Sequence, residues 1–427
     1  MKILWLVNIV MPELAEHLGR KPSVFGGWLT GAMNAVRAAG HELVICATEP
    51  RADVLCSDVS GVRYYMVPSG SIGEMEANFQ GILQQEVPDV VHIFGTEFEQ
   101  CMAMANCADV ERTVVQIQGA MTLLKDEVYA GLPARLCSDN LLHKLLRCLH
   151  KGGQSIELQK KSFERRAVVE QQVLRRAKYI FGASKWGNAV AKSVNPDCIT
   201  FDCNLILRDT FYTDERWSPE ICEPHSIYIL FSYPIKGFHK FLEALTLILR
   251  QYPDTMVYVA ANQLPIRNYT GIKRRIQDAA PDYNWLIQKQ IEQNKLQSNL
   301  KFLGNLNAEQ VKARMLKSNV FVSASALENQ SMTLGEAMIL GVPSVASSVG
   351  AIPEMIDDGV DGFLYPFAEP EKLSDAVCNI FSDLNLAKQF SEKGRVHAAA
   401  TYDREKNGES LIEMYQLIVE KAGNRND

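Results

Sequence analysis

The ten cysteines of this 427-residue chain never form a C-x-x-C pair, and no Cys/His cluster falls at zinc spacing. That excludes a zinc-ribbon or thioredoxin-like framework and leaves scattered thiols, expected to be reduced and mostly buried, as in a reducing compartment. Long apolar runs are also missing, since none reaches the ~18 residues a spanning helix needs. The opening Met1-Lys2-Ile3-Leu4-Trp5-Leu6-Val7-Asn8-Ile9-Val10 stops at Pro12-Glu13 with no small-residue cleavage site, so it reads as a first buried strand rather than a leader. The expected location is cytoplasmic, or at most peripheral at an inner membrane face. A basic excess is absent as well: 44 Lys/Arg against 50 Asp/Glu leave −6, which argues against a chain that coats nucleic acid. Neither G-x-G-x-x-G nor G-x-x-x-x-G-K-[ST] occurs, and dehydrogenase and P-loop kinase readings lose their anchors.

The composition that remains, 47% hydrophobic and 22% charged, is that of an ordinary globular chain long enough for two cores. Short apolar runs at 3–10, 42–47, 62–67, 90–94, 114–117 and 179–183 alternate with helical patterns and read as buried parallel strands. Between the first two, 27–39 puts Leu29, Ala32, Met33 and Val36 on one face and stops at Gly40-His41. A second series follows at 226–231, 256–260, 301–303, 320–323, 343–346 and 362–365. The aperiodic stretch 204–224 is the expected linker. Two α/β domains of this kind place a ligand at the carboxyl ends of their strands. The interval 262–299 is too long for a bare loop and predicts helices at 269–279 and 285–295. A final amphipathic helix spans 405–422, with Leu411, Met414, Tyr415, Ile418 and Val419 on one side.

Chemistry concentrates in Ala324-Ser325-Ala326-Leu327-Glu328-Asn329-Gln330-Ser331-Met332-Thr333-Leu334-Gly335-Glu336, followed by Ala337-Met338-Ile339-Leu340-Gly341-Val342-Pro343. Glu328 falls in a loop after a strand and Glu336 at the start of the next helix, so both carboxylates can face one site while free N–H groups at the helix start suit a phosphate. Thr333-x-x-Glu336 also fits a capping box, worth ~1 kcal/mol to the helix. That reading leaves Glu328, and the strand restart at Gly341-Val342-Pro343, without explanation.

The segment is similar to the E-x7-E signature of family-four, or group 1, retaining glycosyltransferases. Collinear with it are Gly26-Gly27, Pro88-Asp89-Val90-Val91-His92-Ile93-Phe94-Gly95, Lys236-Gly237, Phe302-Leu303-Gly304, Ser347-Ser348-Val349-Gly350-Ala351-Ile352-Pro353-Glu354 and Asp358-Gly359-Val360-Asp361-Gly362-Phe363-Leu364. The resemblance implies a GT-B fold: two Rossmann-like α/β domains facing across a cleft, with 1–205 on the acceptor side and 225–403 binding the donor. The helix 404–427 would pack back on the N-terminal domain. It implies a nucleotide-sugar donor (UDP- or GDP-sugar), no cofactor, and a glycan or lipid-linked acceptor of cell-surface polysaccharide synthesis. By the same resemblance Glu336 holds the ribose hydroxyls and Glu328 the donor sugar. Ser331, Met332 and Thr333 meet the phosphate through backbone N–H groups, and Lys236 lies against the diphosphate. Gly26-Gly27 would let the backbone approach donor phosphate or acceptor, or would simply make a tight turn.

Two positions depart from the family pattern. Leu230-Phe231 stands where many members carry Gly-Arg, and Gln118 stands where many carry an active-site histidine. Glutamine cannot titrate, so proton transfer would fall to the departing phosphate oxygen in a front-face reaction; Glu97 is an additional polar candidate. With no Asp-x-Asp to seat a metal, side-chain cations and helix termini would meet the leaving-group charge. The rival readings are a non-catalytic nucleotide-sugar-binding partner and a sugar-nucleotide epimerase of the same fold. A last motif stands apart. Leu141, Leu145 and Leu149, widened by Leu142 and Leu146, form an apolar stripe, and 143–178 carries ten Lys/Arg against three Glu, a net +7. This stretch, 141–178, is either an ordinary core helix with a basic outer face or an interfacial element for an anionic membrane.

Overall fold

The computed structural model describes residues 1–23, 26–148, 155–261 and 270–423. The chain forms two compact units, one of 1–122, 165–209 and 401–427 and the other of 123–164 and 210–400.

The first unit is built on eight strands: β1 (Lys2–Val7), β2 (Glu42–Glu49), β3 (Leu55–Val59), β4 (Val62–Pro68), β5 (Val90–Phe94), β6 (Thr113–Gln116), β7 (Tyr179–Phe181) and β8 (Ile199–Phe201). Their order is β3-β4-β2-β1-β5-β6-β7-β8, all parallel except the β3–β4 pair. Helices cover both faces, which is why β1 reads as an unbroken apolar run. Ile3, Trp5 and Val7 pack with Leu29 and Met33, whereas Leu4 and Leu6 point the other way toward Met75, Phe79 and Met104. The helix Arg404–Gly423 completes the first of these cores, burying Leu411, Met414, Tyr415 and Ile418 as its stripe predicts. β3 escaped the sequence reading because its polar, half-exposed Cys-Ser-Asp centre lacks an apolar run. Ser60-Gly61, both at positive φ, makes the hairpin turn that would have betrayed it. β8, only three residues long, was missed too.

Inside this core the Trp5 indole N–H donates to the Tyr415 hydroxyl at 3.1 Å. That hydroxyl also hydrogen-bonds with His92 Nδ1, 2.7 Å away. Burial pushes His92 down to about 3. In the second unit it pushes His239 down to about 4. Both rings are thus neutral when folded, and the unfolded chain binds protons below its ordinary histidine pKa that the native state refuses. Their stability is complete above pH ~6.5 and is lost as pH falls toward these values, at up to ~1.4 kcal/mol per unit for each ring. Denaturant titrations at pH 7 and 5 should show a loss of roughly 2–4 kcal/mol that shrinks in His92→Gln. An unchanged pH slope in that variant would contradict the assignment.

The second unit has six parallel strands: β9 (Glu223–Phe231), β10 (Met256–Ala261), β11 (Leu300–Gly304), β12 (Ser318–Ser323), β13 (Ser344–Ser347) and β14 (Phe363–Tyr365), in the order β11-β10-β9-β12-β13-β14. The interval after β10 does hold helices, Gly271–Ala279 and Tyr283–Gln293; residue 269 lies outside the described residues. These helices also hold a stretch from within the expected 1–205. Residues 123–164 cluster with the second unit because polar and stacking contacts tie them there. Arg135 stacks on the Trp285 ring at 4.5 Å, and His239 Nε2–H donates to the Ala130 carbonyl at 3.0 Å. No periodic pattern announces such contacts.

Candidate functional site

In each sheet the strand order reverses beside the first strand of its series, between β1 and β5 and between β9 and β12. Crevices open at the carboxyl ends of such strand pairs. In the second unit the loops leaving β9 and β12 bring together residues far apart in sequence. A 3-10 turn, Pro234–Lys236, follows β9 and ends at Gly237, which is left-handed (φ 67°) and starts the helix Phe238–Gln251. A Cβ there would lie 1.7 Å from the Ala324 carbonyl oxygen, so only glycine lets the two loops touch. The Ala326 N–H donates to the Ile235 carbonyl at 2.7 Å. This contact sets the Lys236 ammonium against Glu328, with which it forms an ion pair. Burial alone would lower the Lys236 pKa, but the Glu328 carboxylate outweighs it and holds the ammonium above its ordinary range.

Glu328 is fixed from three directions. Ser325 Oγ donates to its carboxylate at 2.6 Å, Lys236 pairs with it, and its backbone carbonyl accepts the Ala351 N–H at 3.0 Å. Gly350, at φ 55°, passes so close that a Cβ would lie 1.9 Å from that same carbonyl oxygen. The Ser347–Glu354 motif therefore buttresses the Glu328 loop. A cavity of about 210 Å³ opens here, lined by Lys236, Glu328, Gln330, Ser331, Met332 and Thr333 among others. Ser331 caps the helix Met332–Ile339 by accepting the Leu334 N–H, so the Thr333-x-x-Glu336 capping box does not form. Glu336 sits one turn further in, buried among the helix's packed residues and not on the cavity wall.

At the first departure from the pattern, Phe231 is buried and stacks on Tyr283 with ring centroids 5.9 Å apart and planes 14° apart. An aromatic cluster fills that position, and Lys236 is the one cation lining the cavity among the described residues.

The first unit gathers a separate polar group. Asn8, just beyond β1, donates to Gln118 Oε1 at 2.9 Å. Gly95, at φ 100°, passes between Glu97 and Gln118, which a Cβ would approach at 3.3 and 3.6 Å. Glu97 is buried and paired with Arg166 at 2.9 Å. Glu170 is wholly buried, accepting from the Thr122 N–H at 2.7 Å and from Thr96 Oγ1 at 3.0 Å. Burial raises its carboxyl pKa against these contacts, and the nearby Glu97 adds to the rise. Sequence reasoning missed Asn8, Arg166 and Glu170, because no motif links a strand end to a helix 160 residues on. Gly26, left-handed at φ 76°, caps the helix Gly27–Ala38. A Cβ on Gly26 would lie 2.0 Å from Ile9 Cδ1, and one on Gly27 would lie 2.8 Å from Arg208 Cδ. Both glycines thus meet protein side chains.

The fold is of the GT-B type. Residues 226–397 match the family model for glycosyl transferases group 1. Among curated relatives, the D-inositol 3-phosphate glycosyltransferase of Corynebacterium urealyticum is 25% identical over 43% of this chain and 41% of its own length. The alpha-D-kanosaminyltransferase of Streptomyces kanamyceticus is 24% identical over 50% and 48%. The chain thus spans about half the length of these relatives. Over the whole length the fold is similar to sucrose-phosphate synthase from Thermosynechococcus elongatus, with a TM-score of 0.71, 15% identity and coverage of 98% and 99% of the two chains. It is also similar to Anabaena HepE in complex with UDP and glucose, with a TM-score of 0.63, 16% identity and coverage of 97% and 99%.

Proposed function

We propose that this chain is a retaining glycosyltransferase that moves a sugar from a UDP- or GDP-sugar to a glycan or lipid-linked acceptor in cell-surface polysaccharide synthesis. The observation that carries the reading is the Lys236–Glu328 pair on the wall of a cavity that also takes in Ser331, Met332 and Thr333 at the start of a helix. In the proposed reaction the bond from the anomeric carbon to the donor phosphate oxygen breaks and a bond to the acceptor oxygen forms on the same face. The acceptor's proton passes to the departing phosphate oxygen. Lys236 and the N–H groups at the start of the helix Met332–Ile339 stabilise the charge that develops on the diphosphate. Glu328, already held by Ser325 and the Gly350 loop, receives donor sugar hydroxyls. Gln118, held by Asn8, orients the acceptor without titrating.

Thermal shift with UDP, GDP and their common sugars tests the donor, since a ligand at 100 times its Kd stabilises by roughly 2.7 kcal/mol. Turnover is then read as nucleotide released only when acceptor is present. Nucleotide binding without release under any acceptor would favour the non-catalytic reading, and an altered donor pool without acceptor would favour an epimerase. Activity is expected to survive EDTA, because the chain has no Asp-x-Asp and Lys236 meets the leaving group. Loss on chelation, restored by Mg²⁺ or Mn²⁺, would show that a metal shares that task.

A further inference from the structure

The leucine stripe of 141–148 does not enter a core. In the helix Leu141–Cys148, Leu141 is 83% and Leu145 54% exposed, while Leu142 and Leu146 are only partly covered; Leu149 lies outside the described residues. A core helix is therefore the wrong account of this segment. A second helix with the same character lies beside it. Gly271–Ala279, in the interval after β10, exposes Ile272 (76%) and Ile276 (37%), one turn apart. The two helices are joined end to end: Asn140 Nδ2 donates to the Ala279 carbonyl at 2.6 Å, and His143 Nε2 lies 3.2 Å from the Pro281 carbonyl. The tertiary structure thus sets Leu141 and Leu145 on one side of this junction and Ile272 and Ile276 on the other.

Cations outnumber acids on this surface. Lys144, Lys273 and Arg275 are exposed on the same two helices. Leu141–Cys148 contains no carboxylate, and the one acid of Gly271–Ala279, Asp278, is occupied by Arg274, Lys289 and the Trp285 indole N–H. Farther along 143–178 the positive charge is less free than the sequence count suggests, because Lys160, Lys161, Arg166 and Lys178 are paired with Glu164, Glu157, Glu97 and Glu111. Of the cations beside the bare aliphatics, Lys144 feels the charge of Glu157, whereas Lys273 and Arg275 have no carboxylate on their own helix other than Asp278.

From this arrangement we propose that the helices Leu141–Cys148 and Gly271–Ala279 together form a docking surface for an anionic lipid bilayer. Aliphatic side chains enter the acyl boundary while lysine and arginine meet the headgroups. A protein partner is less well matched, because protein interfaces are enriched in aromatic anchors and depleted in lysine, and no aromatic residue lies on either helix. No described helix is long and apolar enough to cross a membrane, so the contact lies in the interface plane. None of these residues lines the donor cavity, and the surface stands or falls apart from the transferase reading.

The full chain is sedimented with vesicles of phosphatidylcholine alone and with added phosphatidylglycerol, at low and high salt. Binding is expected only with the anionic lipid and only at low salt. Leu141→Gln with Leu145→Gln, and separately Ile272→Gln with Ile276→Gln, should each lower the partition coefficient by at least about tenfold. Lys144→Glu with Lys273→Glu, a surface change that leaves the apolar faces intact, should do the same. Unfolding midpoints should not move. No binding of the wild type to anionic vesicles overturns the proposal. So does binding that the isoleucine pair leaves unchanged, since the surface then does not span both helices. Self-association that the leucine or isoleucine changes abolish, without vesicle binding, would assign the face to a second copy of the chain.

Discussion

Lys236→Ala is expected to lower kcat/KM for the nucleotide-sugar donor by roughly 30- to 1,000-fold, or ~2–4 kcal/mol of transition-state stabilisation, while the protein stays folded. The expectation is large because substitution has no understudy. Phe231 occupies the position where a second cation is expected, and its ring is committed to Tyr283 and Phe238. Removing the ammonium leaves the phosphate only backbone N–H groups, and leaves the Glu328 carboxylate with Ser325 as its remaining side-chain donor. An anion beside an anionic leaving group then adds repulsion to the lost attraction. Glu328→Gln in the Lys236→Ala background relieves the repulsion while keeping a hydrogen-bonding group for the donor sugar, so a partial recovery of kcat/KM measures the repulsive share. Wild-type kcat/KM in Lys236→Ala would remove this residue from the mechanism.

Gly237→Ala should be the most damaging single methyl in the second unit. Its Cβ would sit 1.7 Å from the Ala324 carbonyl oxygen, on a backbone whose φ of 67° already disfavours alanine. Strain at positive φ alone costs about 1–2 kcal/mol. The overlap is with backbone and no side chain can rotate away, so the two loops must part, for a total loss of several kcal/mol. Gly359→Ala supplies the control: its φ is 71°, but nothing lies within 4 Å of the added methyl. Urea midpoints of the two variants should differ by more than the shared φ strain, and nucleotide binding should fall only in Gly237→Ala. Equal losses would mean that φ strain accounts for both, with the loop contact contributing nothing.

The pairing of these two neighbours shows what the motifs conveyed. Glu328 was legible as a candidate because a strand followed by a carboxylate and a helix start is a local pattern, whereas Lys236-Gly237 stood out only through the resemblance to the group 1 transferases. Their contact was not legible, since 92 residues separate Lys236 from Glu328. The buttress from Gly350 was equally hidden, although the motif that contains it was visible. At Glu336 local logic misled: Thr333-x-x-Glu336 has the letters of a capping box, yet the helix begins at Met332 and Ser331 takes the cap.

By itself the sequence determined the class of structure: buried strands in two series, the helices between them, and the terminal helix whose stripe returns to the first core. Period and burial do this, because a run apolar on both faces can be buried only within a covered parallel sheet, and a one-sided helix must find a core for its stripe. Only the tertiary structure decided where 123–164 belongs, what fills the Phe231 position, and how Asn8, Gln118, Glu97 and Glu170 come together. It also decided that Leu141 and Leu145 face outward beside Ile272 and Ile276. The physical reason is common to all four. Stacking, buried hydrogen bonds and the exposure of an apolar face depend on which surfaces remain after the sheets have packed, and residues distant in sequence set those surfaces without leaving any period behind.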